Sequence, residues 1–97
     1  MTQHHTVMVT LQPQPKHRSA FADVMHAVQK DLPSVEGCID VRILTQQDSP
    51  DTFILIEDWT SADLHSAHID RLVAAGDWAN LEQMLAQAPS TVVLNTL

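Results

Sequence analysis

The sequence predicts an α+β domain of the ferredoxin-like type, a four-stranded antiparallel sheet with helices on one face. Three observations predict it. Short β-branched or apolar runs alternate with two longer stretches of helical spacing. The elements follow the order β-α-β-β-α-β, the split βαβ pattern. The two middle strands are separated by Asp48-Ser-Pro-Asp51, a turn by composition that implies an antiparallel hairpin.

Residues 5–12 read as the first strand. Pro13 and Pro15 then break regular structure and lead into a helix. On that helix Phe21, Val24, Met25, Val28 and Leu32 recur at the spacing of one buried face, and Pro33-Ser34 stops it. Gly37 opens a second strand over 38–46, and residues 52–59 form the third. Thr60 and Ser61 are N-cap residues for a second helix, with Asp63 in its first turn. That helix sets Leu64, Ala67, His68 and Leu72 on one side and ends at Gly76. A short third helix follows, with Trp78, Leu81 and Leu85 inward. Pro89 closes it, and residues 91–97 form a last strand.

Length and charge bound the function. At 97 residues the chain has room for one core, a single domain over 1–97. A formal charge of -7, with only five scattered Lys and Arg, opposes nucleic-acid or acidic-membrane binding. No apolar run is long enough to span a bilayer, and the first residues, Met1-Thr-Gln-His-His, do not form a signal peptide. The lone Cys38 has no internal partner, so a reducing, cytoplasmic setting is expected.

Strand alternation assigns Ile39, Val41, Ile43, Ile54 and Ile56 to the face under the helices. It leaves Arg42, Phe53, Leu55, Glu57 and Trp59 on the other. Two helices shield only one face, so Phe53 and Leu55 are expected in a homodimer interface. A turn centred on Ser49-Pro50 sets Arg42 opposite Glu57, which predicts an ion pair there that fixes partner orientation.

Few residues carry chemistry. His68 lies on the apolar side of the second helix, four residues after Leu64. Two readings stand: a general base or proton shuttle, or a core histidine satisfied by hydrogen bonds. Trp59 and Trp78 are either walls of a pocket for a flat aromatic molecule or ordinary packing. His65 and His68 stand three apart, but two ligands are no metal site, and none is expected. With Gly37 and Gly76 the only glycines, phosphate-cradling loops are missing. Cys38 reads as a small buried hydrophobe.

Val35-Glu-Gly-Cys38, then Phe53-Ile-Leu-Ile-Glu57-Asp-Trp59-Thr-Ser61, then Leu64 and Ala67-His68, resemble the antibiotic biosynthesis monooxygenase family. The motif cluster covers residues 35–68, and the element order agrees over nearly the whole chain. The resemblance implies a dimeric α+β barrel with a pocket between sheet and helices in each subunit. It implies a cofactor-independent monooxygenase acting on a quinol or polycyclic phenol. In that chemistry a deprotonated substrate passes an electron to O₂ with neither flavin nor metal. His68 is the implied base, Trp59 a pocket wall, and Met8 a residue of the pocket floor. A non-catalytic dimeric module that binds a small apolar ligand, and a cofactor-free isomerase or decarboxylase, are alternatives on the same fold. The first strand has no asparagine of the kind found in the haem-degrading branch. The segment Asp70-Arg-Leu-Val-Ala lacks the family's second histidine, and the chain has no tyrosine. A cavity of several hundred Å³ beside His68 separates an enzyme from a solidly packed module.

Overall fold

The computed structural model describes residues 4–97. The reading of the N-terminus as free of a signal peptide rests partly on residues 1–3, which lie outside the described residues. The elements are β1 (His5–Leu11), α1 (Arg18–Asp31), β2 (Cys38–Thr45), β3 (Phe53–Trp59), α2 (Ala62–Ala75), α3 (Asp77–Gln83) and β4 (Ser90–Leu94). Single 3₁₀ turns flank α1 at Pro15–His17 and Leu32–Ser34. The four strands form one antiparallel sheet in the order β2-β3-β1-β4. This is the ferredoxin-like arrangement. Among the described residues no helix is long and apolar enough to cross a membrane.

Local chemistry sets the joints. Ser61 caps α2, its hydroxyl accepting from the Leu64 amide at 3.2 Å. Gly76 closes α2 in the left-handed region, at φ 83°. Gly37 has a stricter role. Its φ is 89°, and a Cβ there would come within 2.6 Å of the Leu64 Cβ. The Thr60 amide donates to the Gly37 carbonyl at 2.8 Å. The start of α2 is thus pressed against the start of β2 through a glycine.

The core joins Val7, Val9 and Leu11 of β1 with Phe53, Leu55 and Trp59 of β3, Val41 of β2, and Phe21 and Met25 of α1. Phe21 and Phe53 meet edge to face, with centroids 5.2 Å apart.

The hairpin register differs from the sequence expectation by one residue. Arg42 pairs with Ile56, and Val41 pairs with Glu57. The turn is closed by the Gln46 amide on the Thr52 carbonyl, at 3.1 Å, so its centre is Ser49 rather than the Ser49-Pro50 bond. A slip of one residue exchanges the faces of a strand. Phe53, Leu55, Glu57 and Trp59 therefore lie under the helices, all at most 7% exposed. Ile54 and Ile56 face the opposite way. The expected Arg42–Glu57 ion pair does not form, and Arg42 is exposed. The ion pair among the described residues is Arg18–Asp51, at 2.6 Å. A register shift between Cys38 and Asp40 adds a second departure. It turns Cys38 toward Trp59 and the core, and leaves Ile39 43% exposed.

The open face of the sheet carries Met8, Leu44, Ile54, Ile56 and Val92, with Arg42, Asp40 and Asp58 among them. The open face is apolar as the sequence suggests, and Arg42 lies on it as expected, but Ile54 and Ile56 of β3 stand there in place of Phe53 and Leu55.

Candidate functional site

A cavity of about 790 Å³ lies between the sheet and the helices. Val9, Leu11, Leu55 and Thr91 form its sheet side. Val24, Met25 and Val28 of α1 line one flank. His65, His68, Ile69 and Leu72 of α2, with Trp78, Leu81 and Met84 from the α3 region, line the other. The volume falls within the range of small-molecule sites. The lining is mainly apolar, and Glu57 stands within it as a carboxyl on the sheet.

His68 lines this cavity and is partly buried. Its pKa is lowered from the ordinary value, first by burial and then by the nearby Arg71. Burial thus favours the neutral imidazole, the form able to accept a proton. Its ring lies 5.2 Å from that of Trp59, tilted by 33°.

His65, one turn earlier, also lines the cavity. It packs against Trp59 at 5.2 Å and against His5 of β1 at 5.3 Å. Burial lowers its pKa first, and the neighbouring His5 and His68 lower it further. Among the described residues no group of three or more His, Cys, Asp or Glu is placed to hold a metal ion.

Trp59 is fully buried and does not itself line the cavity. It sits behind His65 and His68. Its Nε1–H donates to Glu57 Oε1 at 3.0 Å, a bond allowed because residues two apart on a strand share a face. Burial pushes the Glu57 pKa up, and the bond from Trp59 offsets part of that rise. Cys38, also toward this end of the sheet, has its thiol pKa raised by burial and by the Glu57 charge.

The residues singled out in the sequence thus separate. His68 and Trp78 reach the cavity, and Trp59 supports it from behind. Met8 lies on the other face of the sheet, opposite Ile56 and Val92, because its neighbours Val7 and Val9 point to the helices. Phe53 and Leu55 belong to the core. Glu57, expected at an interface, is part of the cavity wall, and His65 joins it. The signals for both were present. Glu57 and Trp59 share one strand face, and His65, His68 and Leu72 follow helical spacing.

Solved structures of similar fold cover almost the whole chain. A conserved protein of Methanosarcina mazei Go1 is 17% identical, with 99% of this chain and 95% of that one covered and a TM-score of 0.85. The Rv0793 protein of Mycobacterium tuberculosis is 20% identical, with 97% and 95% covered and a TM-score of 0.84. A structure described as an antibiotic biosynthesis monooxygenase is 15% identical, with 96% and 98% covered and a TM-score of 0.78. At these identities the likeness shows the fold alone. No curated protein is similar enough in sequence to count as a match. The family model for antibiotic biosynthesis monooxygenase matches residues 4–73, which include β1, α1, the hairpin, the Glu57–Trp59 pair and most of α2 with His68. The chain belongs to the antibiotic biosynthesis monooxygenase family.

Proposed function

We propose that the protein is a cofactor-independent monooxygenase of a quinol or polycyclic phenol, working as a homodimer in the cytoplasm. The observation that carries this reading is the apolar cavity of about 790 Å³ with His68 on its wall. A solidly packed His68 would have favoured a structural role. A space that admits several fused rings beside a base favours chemistry.

His68 takes a proton from the acidic O–H or C–H of the substrate. The anion gives one electron to O₂, and the substrate radical and superoxide combine to form a C–O bond. His68 returns its proton to the peroxide. The remaining hydrogen on that carbon then leaves as a proton while the O–O bond breaks, giving a carbonyl and one water. The net change is CH₂ plus O₂ to C=O plus H₂O. The chain's part is to orient the ring system, hold the proton at His68 and keep water away from the anion.

The test is oxygen uptake with a panel of anthrones and quinols and no added cofactor. Turnover is expected, and His68→Ala is expected to lower it by about two to four orders of magnitude. Normal turnover by that variant would make His68 structural. Substrate loss without oxygen uptake would move the reading to an isomerase.

The homodimer rests on the open sheet face, where Met8, Ile54, Ile56, Leu44 and Val92 form an apolar strip. Ile56→Asp is expected to give monomers by light scattering while circular dichroism stays native. An unchanged dimer would contradict this choice of face.

A further inference from the structure

Glu57 is a buried acid that the proton steps above do not use. One of its oxygens is accounted for: Oε1 accepts from Trp59 Nε1–H at 3.0 Å. Among the described residues no donor reaches Oε2. Yet among the described residues no buried side-chain oxygen or nitrogen is left without a partner. Oε2 therefore keeps contact with open space. Glu57 is only 7% exposed and lines the cavity, so that space is the cavity.

The surroundings favour the uncharged acid. No Lys or Arg lines the cavity, and the salt bridge among the described residues lies elsewhere, at Arg18–Asp51. The other titratable groups on the cavity wall are His65 and His68 on α2, Asp31 on α1 and Asp77 at the start of α3, while Cys38 on β2 and His5 on β1 pair with the neighbouring Trp59. None of them forms a salt bridge with Glu57. Because Trp59 donates to Oε1, the proton of the neutral acid belongs on Oε2.

We propose that Glu57 is the polar anchor of the cavity, a neutral carboxyl whose Oε2–H donates a hydrogen bond to a carbonyl or phenolate oxygen of a flat, otherwise apolar ligand. Trp59 is the positioning residue that aims the proton. The anchor sits on the rigid sheet, and His68 faces the same space from α2. A ligand oxygen held at Glu57 fixes which part of the ring system meets His68. This rests on the proposed function for the cavity as the ligand site, and makes no use of oxygen chemistry.

The experiment compares two unreactive probes of one tricyclic frame, 9-fluorenone with a carbonyl and fluorene with a CH₂. Binding to the full chain is followed by tryptophan fluorescence between pH 5 and pH 9. At pH 5 the wild type is expected to prefer fluorenone by about five- to ten-fold, the range of one neutral hydrogen bond. That preference falls as pH rises and Glu57 ionises. Glu57→Gln keeps a neutral donor, so its preference is expected to stay flat with pH. Glu57→Leu is expected to lose the preference while still binding fluorene. Changes at His65 and His68 are common to wild type and Glu57→Gln, so the difference between these two isolates Glu57. A wild-type preference that is absent at pH 5, or as flat with pH as that of Glu57→Gln, overturns the proposal even if Glu57→Leu does not fold. The outcome is independent of oxygen uptake. Failure of the oxygenase assay with the probe preference intact would sink the proposed reaction and leave the anchor standing.

Discussion

Helices α1 and α2 are each 14 residues long and lie on the same face of the sheet, but they bury different amounts of themselves. In α1, Phe21 is sealed against the strands at 0% exposure, and Met25 is buried at 3% where it borders the cavity. In α2 no residue is fully buried, and its inward side borders the cavity. One helix serves as core and the other as cover. The helix that carries His65 and His68 is the less tightly packed of the two.

Paired truncations probe this difference most strongly. Phe21→Ala is expected to cost about 3–5 kcal/mol in denaturant unfolding, since it removes a fully enclosed ring. Leu72→Ala, on the cavity side of α2, is expected to cost under about 1 kcal/mol. Equal losses would mean that α2 is packed as tightly as α1.

A smaller effect is expected at the joint that holds the cover. Gly37→Ala would force a Cβ against Leu64 at a backbone angle that alanine rarely adopts. It should destabilise the fold by about 1–3 kcal/mol. Because the displaced partner belongs to α2, tryptophan fluorescence should change as the histidines shift on Trp59. A native spectrum and unchanged stability would show that α2 is placed by something other than this contact.

Much of the fold was legible in the sequence, and the reason differs by element. Phe21, Val24, Met25 and Val28 mark α1 because the polar residues between them leave one face to bury. Ser61 and Gly76 bound α2 through capping chemistry that needs no tertiary information. The hairpin register was not legible. Phe53 and Leu55 on one side of β3, and Ile54 and Ile56 on the other, are both apolar, so hydrophobic alternation does not choose between them. The choice then falls to the turn, where moving its centre by half a residue, from the Ser49-Pro50 bond to Ser49, reverses both faces. The shift at Cys38 and Asp40 reverses the faces separately, at the start of β2, and alternation carries no signal for it. The same slip concealed the role of Glu57. It placed with Arg42 a carboxyl that the structure gives to Trp59. His68 was legible as an inward histidine on its helix. The empty volume beside it depends on the distance between α1 and α2, which no local pattern encodes.

The thin packing of α2 has a thermodynamic consequence. A guest that occupies the cavity stands in for the aliphatic side chains this helix lacks, contacting Ile69 and Leu72 on one flank and Val24 and Val28 on the other. Recognition and folding thereby draw on the same surface. A small molecule bound there would act as a removable piece of the protein's interior, and the rigidity of the histidine-bearing helix would become a property of the complex more than of the polypeptide.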